Sequence, residues 1–153
     1  MTKRVYNGPQ DRQPKTITNR TVSGALLPCT AVTVGATTLT QATAPNASRI
    51  ALLANRDFYA DPAQFYTATD PLLTAYTSGD TGVALELEPG QRVTWAMAAA
   101  TYTNGQELTI AAAGRLAAAA STNVVVAFFD QAGATLAAGA LAEVSIANFY
   151  TKA

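Results

Sequence analysis

The chain has 153 residues, a formal net charge of zero, one cysteine and no histidine. Without imidazole there is no Ser-His-Asp or Cys-His catalysis and no zinc site that needs histidine, and a lone Cys29 excludes an intramolecular disulfide or a four-cysteine metal site. Charged residues are 13% of the chain, against about 25% in ordinary globular proteins, so the composition points to a subunit that hides its surface in an assembly.

The length suits one domain able to bury about 68–70% of its unfolded surface. Charge is uneven along it. Residues 1–20 hold Lys3, Arg4, Arg12, Lys15 and Arg20 against Asp11 alone, whereas the remainder holds five cations and nine carboxylates. With Asn7-Gly8-Pro9, Pro14 and few apolar residues, 1–20 reads as an extended basic arm that orders against an acidic partner, and 21–153 as the body. No apolar run follows the basic residues, so no secretory signal is read here, and no span has 18 uninterrupted apolar residues. The expectation is synthesis in the cytoplasm of the producing cell, with no membrane partner.

From Thr30 to Thr43 small and β-branched residues alternate at strand period, broken at Gly35. Arg49 to Asn55 is a short apolar run suited to a strand or to a helix start. Residues 56–75 read as a long aromatic loop with Phe58, Tyr59, Phe65 and Tyr66, and a helical turn is expected over 62–65. Asp61-Pro62 and Asp70-Pro71 have the form of turn initiators. Gly82 to Glu88 sets Val83, Leu85 and Leu87 on one face against Ala84, Glu86 and Glu88, the pattern of one-sided burial. After Pro89-Gly90, Arg92 to Ala98 alternates Val93, Trp95 and Met97 with Arg92, Thr94 and Ala96. The spacing predicts a hairpin of 82–88 with 92–98, with Trp95 in its core.

Asn104-Gly105 signals a further turn before a strand over 107–111, and Ala113-Gly114 another before Arg115-Leu116. Residues 123–129 (NVVVAFF) suit a strand buried on both faces. Leu141 to Phe149 forms the last strand, with Val144 and Ile146 on one face. The alanine runs at 98–100, 111–113 and 117–120 favour helix by propensity but are too short to stand alone, so they read as strand ends and tight loops. The fold class expected is mainly β: a small antiparallel β-barrel or β-sandwich with an extended N-terminal arm and a few short helical turns.

Catalytic and metal chemistry find little support in these residues. Glu86 and Glu88 share a strand face but read as solvated carboxylates. Asp57, Asp61 and Asp70 do not have the spacing of an EF-hand loop. The glycines at 133 and 139 lack the Gly-Lys-Ser/Thr of a phosphate loop. The aromatic residues of 56–76 stand among acids, away from the cations, which disfavours nucleic acid. No enzyme, metal or cofactor is expected, and Cys29 reads as a small apolar core residue.

One segment, Tyr76-x-x-Gly79-Asp80, a strand, Pro89-Gly90, a second strand, then Asn104-Gly105, Leu108, Gly114-Arg115-Leu116 and a valine-rich strand pair, resembles the head decoration, or cement, proteins of tailed bacteriophages. The resemblance covers roughly the C-terminal half; residues 1–55 match no part of the pattern. It implies a virion protein on the outer surface of a capsid, stabilising the shell, with the major capsid protein as partner and a homotrimer as its state. On that reading Lys3, Arg4, Arg12, Lys15 and Arg20 contact the capsid, and Phe58, Tyr59, Phe65 and Tyr66 supply loop contacts. The alternative from another class is a carbohydrate- or cell-surface-binding β-module of a phage fibre or tail tip, motivated by the same aromatic loop.

Overall fold

The computed structural model describes residues 4–45, 49–55 and 70–153. In chain order the strands are β1 (Tyr6–Gly8), β2 (Thr16–Val22), β3 (Ala31–Val34), β4 (Thr38–Gln41), β5 (Ile50–Leu53), β6 (Thr81–Glu86), β7 (Arg92–Ala96), β8 (Ala100–Tyr102), β9 (Glu107–Ile110), β10 (Leu116–Ala118), β11 (Val124–Phe129), β12 (Ala134–Leu136) and β13 (Leu141–Thr151). The protein is mainly β, with no helix of seven residues or more among the described residues. Short 3₁₀ turns cover Pro71–Leu73 and Ala112–Gly114. The expected helical turn over 62–65 lies outside the described residues.

Five strands close into a barrel in the order β2-β4-β3-β5-β6. All its described pairings are antiparallel except β2 with β4. Ile17, Val22, Val32, Leu39, Ala51, Leu53 and Ala84 form one core cluster with Leu26 and Tyr76. Ile17 and Val22 are five apart, so a regular strand would send them to opposite faces. A register shift between Ile17 and Arg20 restores both to the same side. Space in this core is short: a Cβ on Gly82 would lie 2.7 Å from both Leu39 Cδ1 and Val22 Cγ2.

The second unit is a six-stranded sheet in the order β1-β7-β13-β11-β9-β10, and β8 pairs with β12 as a separate ribbon. Its core holds Val93, Trp95, Met97, Tyr102, Leu108, Ile110, Leu116, Val126, Phe129, Val144 and Ile146. Ala31, Leu52 and Leu85, from three barrel strands, belong to the same cluster. Strand alternation explains this: Ala51, Leu53 and Ala84 join the barrel core while Leu52 and Leu85 join the sheet core. Strands β3, β5 and β6 are therefore apolar on both faces, and β6 is not buried on one side only as its sequence pattern suggested.

The expected hairpin of 82–88 with 92–98 does not form. β6 pairs with β2 and β5, whereas β7 pairs with β1 and β13. Pro89-Gly90 is a corner between barrel and sheet, and its backbone bonds run to the last strand: Gly90 N–H donates to Ile146 O (2.9 Å) and Ile146 N–H to Gln91 O (2.8 Å). Trp95 nevertheless sits in the core as expected, fully buried in the cluster that contains Leu85 and is flanked by Val83 and Leu87.

Asn104-Gly105 is a turn with Gly105 at φ +77°, yet it does not pair its flanking strands. Gly105 N–H donates to Phe129 O at 2.7 Å, β8 pairs with β12, and β9 pairs with β10 and β11. The Ala113-Gly114 turn does make a hairpin, with Leu116 opposite Ile110 and Ala118 opposite Leu108. The alanine runs are strand ends and turns, β11 is buried along most of its length, and Val144 and Ile146 share the core side of β13.

The division at residue 20 is corrected as well. The segment read as an arm contains β1, at the edge of the sheet, and most of β2, a wall of the barrel. Its polar composition concealed this because only Val5 and Ile17 of residues 4–20 are buried apolar side chains, one in each core. A strand can be held by backbone hydrogen bonds and a single anchoring side chain.

Candidate functional site

Of the cations expected to form a free arm, the four described have different surroundings. Arg4 and Arg12 are exposed. Lys15 Nζ lies 3.7 Å from Glu88 Oε1, and its carbonyl accepts from Glu86 N–H at 2.8 Å. Arg20 Nε donates to Gly35 O at 2.9 Å, tying β2 to the β3–β4 turn. Lys3 lies outside the described residues, as do Phe58, Tyr59, Phe65 and Tyr66. Glu86 meets Arg49 as an ion pair, so both carboxylates of this strand end, Glu86 and Glu88, are paired with cations.

Around β1 the contacts are specific. Val5 is buried in the sheet core and its carbonyl accepts from Thr94 N–H at 2.8 Å. The buried Thr94 hydroxyl donates to Arg4 O and accepts from Asn7 Nδ2 at 3.0 Å. The one proton of Tyr6 Oη is shared between Pro9 O (2.7 Å) and Arg12 O (3.1 Å), closing the following turn.

At one end of the barrel, Tyr76 is buried and donates its hydroxyl to Ala54 O at 2.8 Å. Tyr76 N–H bonds Leu26 O, and Gly24 N–H bonds Ser78 Oγ, so the segments 24–26 and 76–78 run side by side. Leu27 and Leu73, next to these segments, are exposed, Leu73 at 59%. Asp70 caps the turn below, accepting from Leu72 N–H at 2.9 Å, as the Asp-Pro pair predicted.

A second exposed apolar group ends β13. Val125 is opposite Tyr150 but Ala127 is opposite Ile146, so residues 147–149 face one residue of β11 and bulge out of the sheet. Phe149 takes φ +38° there, and Phe149 and Tyr150 are both exposed. Tyr150 leans on Phe128, with ring centroids 6.3 Å apart. Its hydroxyl donates to Glu107 Oε1 (2.6 Å) while Lys152 Nζ reaches Glu107 Oε2 (2.8 Å) and donates to Ala119 O (3.0 Å). The hydrogen bonds from Lys152 and Tyr150 hold the Glu107 carboxyl below the ordinary carboxylate range, and the same bond raises the Tyr150 hydroxyl. With both oxygens occupied, this carboxylate tethers the chain end and presents no ready base.

Leu27, Leu73, Phe149 and Tyr150 were not singled out from sequence. For Phe149 and Tyr150 the signal was the failure of alternation after Ile146, where Asn-Phe-Tyr replaces the apolar–polar repeat; Leu27 and Leu73 had no such signal. Among the described residues no three of Asp, Glu and Cys gather into a group able to hold a metal ion. What the described surface offers is exposed apolar and aromatic side chains on a strand scaffold. No protein-family model matches the chain, and no curated protein matches it either.

Proposed function

We propose that the protein is a structural component of a phage head: a decoration protein that binds the outer face of the major capsid shell and stabilises it, acting as a homotrimer without catalysis. The observation that carries this reading is where the residues of the resemblance lie. Tyr76, Leu108 and Leu116 are buried core residues. Gly79, Gly90, Gly105 and Gly114 all have positive φ at turns, Pro89 stands beside Gly90 at the corner, and Asp80 Oδ2 caps its turn by accepting from Thr77 N–H at 2.7 Å. The shared pattern is thus made of the positions that build the scaffold, and the contacts are left to loops and exposed apolar side chains such as Leu73 and Phe149. A scaffold of this kind suits a protein whose task is to be held in place.

The test is co-sedimentation with purified capsids, followed by electron microscopy of the complex. Stoichiometric binding with density on the outer shell near threefold positions is the expected result. Density confined to a tail or fibre favours the carbohydrate-binding reading, and absence from all virion parts removes both.

A further inference from the structure

The edge of β7 is a strand-binding groove that the chain fills with its own N-terminus. Its requirements are written in the contacts of residues 4–8. An apolar side chain enters the sheet core at Val5, a carbonyl accepts the Thr94 amide, a second carbonyl accepts the buried Thr94 hydroxyl, and the Asn7 amide donates to that hydroxyl. Both of these hydrogen bonds of the Thr94 side chain go to this segment. Were β1 to leave, a buried hydroxyl and an apolar slot would be left unfilled, so the vacated groove selects a strand with the same sequence pattern.

The connection behind β1 permits such a departure. Pro9, Gln10, Asp11, Arg12 and Gln13 are all exposed, Pro14 is half-buried, and the chain next enters the barrel at Thr16. The bonds that fold this connection into a turn are the two from the exposed Tyr6 hydroxyl and a 3.4 Å bond from Arg12 N–H to Pro9 O. Extended, seven residues reach about 25 Å, enough to carry β1 to a neighbouring molecule while β2 stays in its own barrel.

We propose that β1 is an exchangeable strand: residues 4–8 of one copy seat on β7 of a second copy, with the same bonds made between molecules that are made within one. Identical contacts in the closed and exchanged forms leave the balance to linker strain and protein concentration. This does not depend on the capsid reading and would hold for the purified protein alone.

A mixing experiment tests it. One preparation carries Asn7→Cys and the other Thr94→Cys, the two side chains that touch at 3.0 Å. Both are mixed at high concentration under mild oxidation, and a single chain carrying both substitutions shows whether the pair can close. The expected result is a covalent dimer of twice the chain mass in the mixture, rising with concentration and absent from either preparation alone. If the double variant closes on itself and the mixture yields no cross-linked dimer, exchange does not occur. Deleting Gln10 to Gln13 tests it independently, because a linker four residues shorter strains closure within one chain and favours exchange. A folded dimer in sedimentation supports exchange, whereas a folded monomer, or a chain that no longer folds at any concentration, overturns it.

Discussion

The barrel and the six-stranded sheet solve the same packing problem with different side chains. Among the described residues the barrel core is built from Val, Leu and Ile with Ala51 and Ala84 and one aromatic, Tyr76. The sheet core holds Trp95, Met97, Tyr102 and Phe129, the last two stacked at 5.4 Å. A closed five-stranded barrel leaves little interior, so small residues are selected there, and Gly82 is needed where strands approach most closely. The bulky residues instead fill the space between the barrel wall and the sheet. The outside of the barrel is therefore the inside of the protein, and neither unit has a complete apolar covering without the other.

The harshest way to test that dependence is to remove residues 1–20. This takes away β1 and most of β2, opening the barrel between β4 and β6, so the expected outcome is loss of cooperative unfolding in calorimetry. Removing only residues 1–8 spares the barrel, and the shortened chain is expected to keep a cooperative but lower transition. Equal behaviour of the two truncations would mean that β2 does not close the barrel.

The next largest effect is expected at the shared core. Trp95 is fully buried and its Nε1–H donates to Gly114 O at 2.9 Å. Trp95→Ala is expected to cost about 3–5 kcal/mol, read as a lower midpoint in urea. Gly114 itself is a close contact of hairpin and barrel: a Cβ there would lie 2.6 Å from Ala31 O and 2.3 Å from Gln41 Nε2, with φ at +65°. Gly114→Ala is expected to cost about 1–3 kcal/mol for overpacking and about 1–2 more for a side chain at positive φ. A neutral result would show that the two units are not pressed together at this turn.

Within the barrel, Tyr76→Phe leaves Ala54 O without its hydroxyl donor and is expected to cost about 1–3 kcal/mol. The effect is expected to be smaller than that of Trp95→Ala, and the reverse ranking would undo the contrast between the two cores.

The smallest effect lies at the exposed end of the sheet. The Glu107 carboxyl is lowered by Lys152 and Tyr150, so its stabilisation is present above the unfolded carboxylate value and fades as pH falls through the folded one. Tyr150 is raised, so its share is complete below the unfolded tyrosine value and fades as pH rises through the folded one. Thermal midpoints of wild type and Glu107→Gln are expected to differ at neutral pH and to converge in acid. A constant difference across pH would assign the effect to something other than this ion pair and hydrogen bond.

Much of the local structure was legible. Asp70-Pro71, Pro89-Gly90, Asn104-Gly105 and Ala113-Gly114 are turns or corners, 123–129 is a buried strand, and the alanine runs do not become helices. Pairing was less legible. Pro89-Gly90 and Asn104-Gly105 change chain direction, but the bonds from Gly90 to Ile146 and from Gly105 to Phe129 link residues far apart in sequence. The exposed group at Phe149 and Tyr150 depends on a bulge that only the β11–β13 register produces.

Local pattern alone was enough to show a mainly β chain, most turn positions and many of the apolar side chains bound for burial. These follow from periodicity and from turn residues, which act over a few neighbours. Tertiary partners were needed to show that β1 and β2 are strands in two different sheets, that β6 and β7 part at a corner, and that three barrel strands face two cores. Those outcomes rest on partners supplied by distant segments. A strand with an apolar face, or with unpaired backbone groups, shows that it needs a neighbour but does not name it.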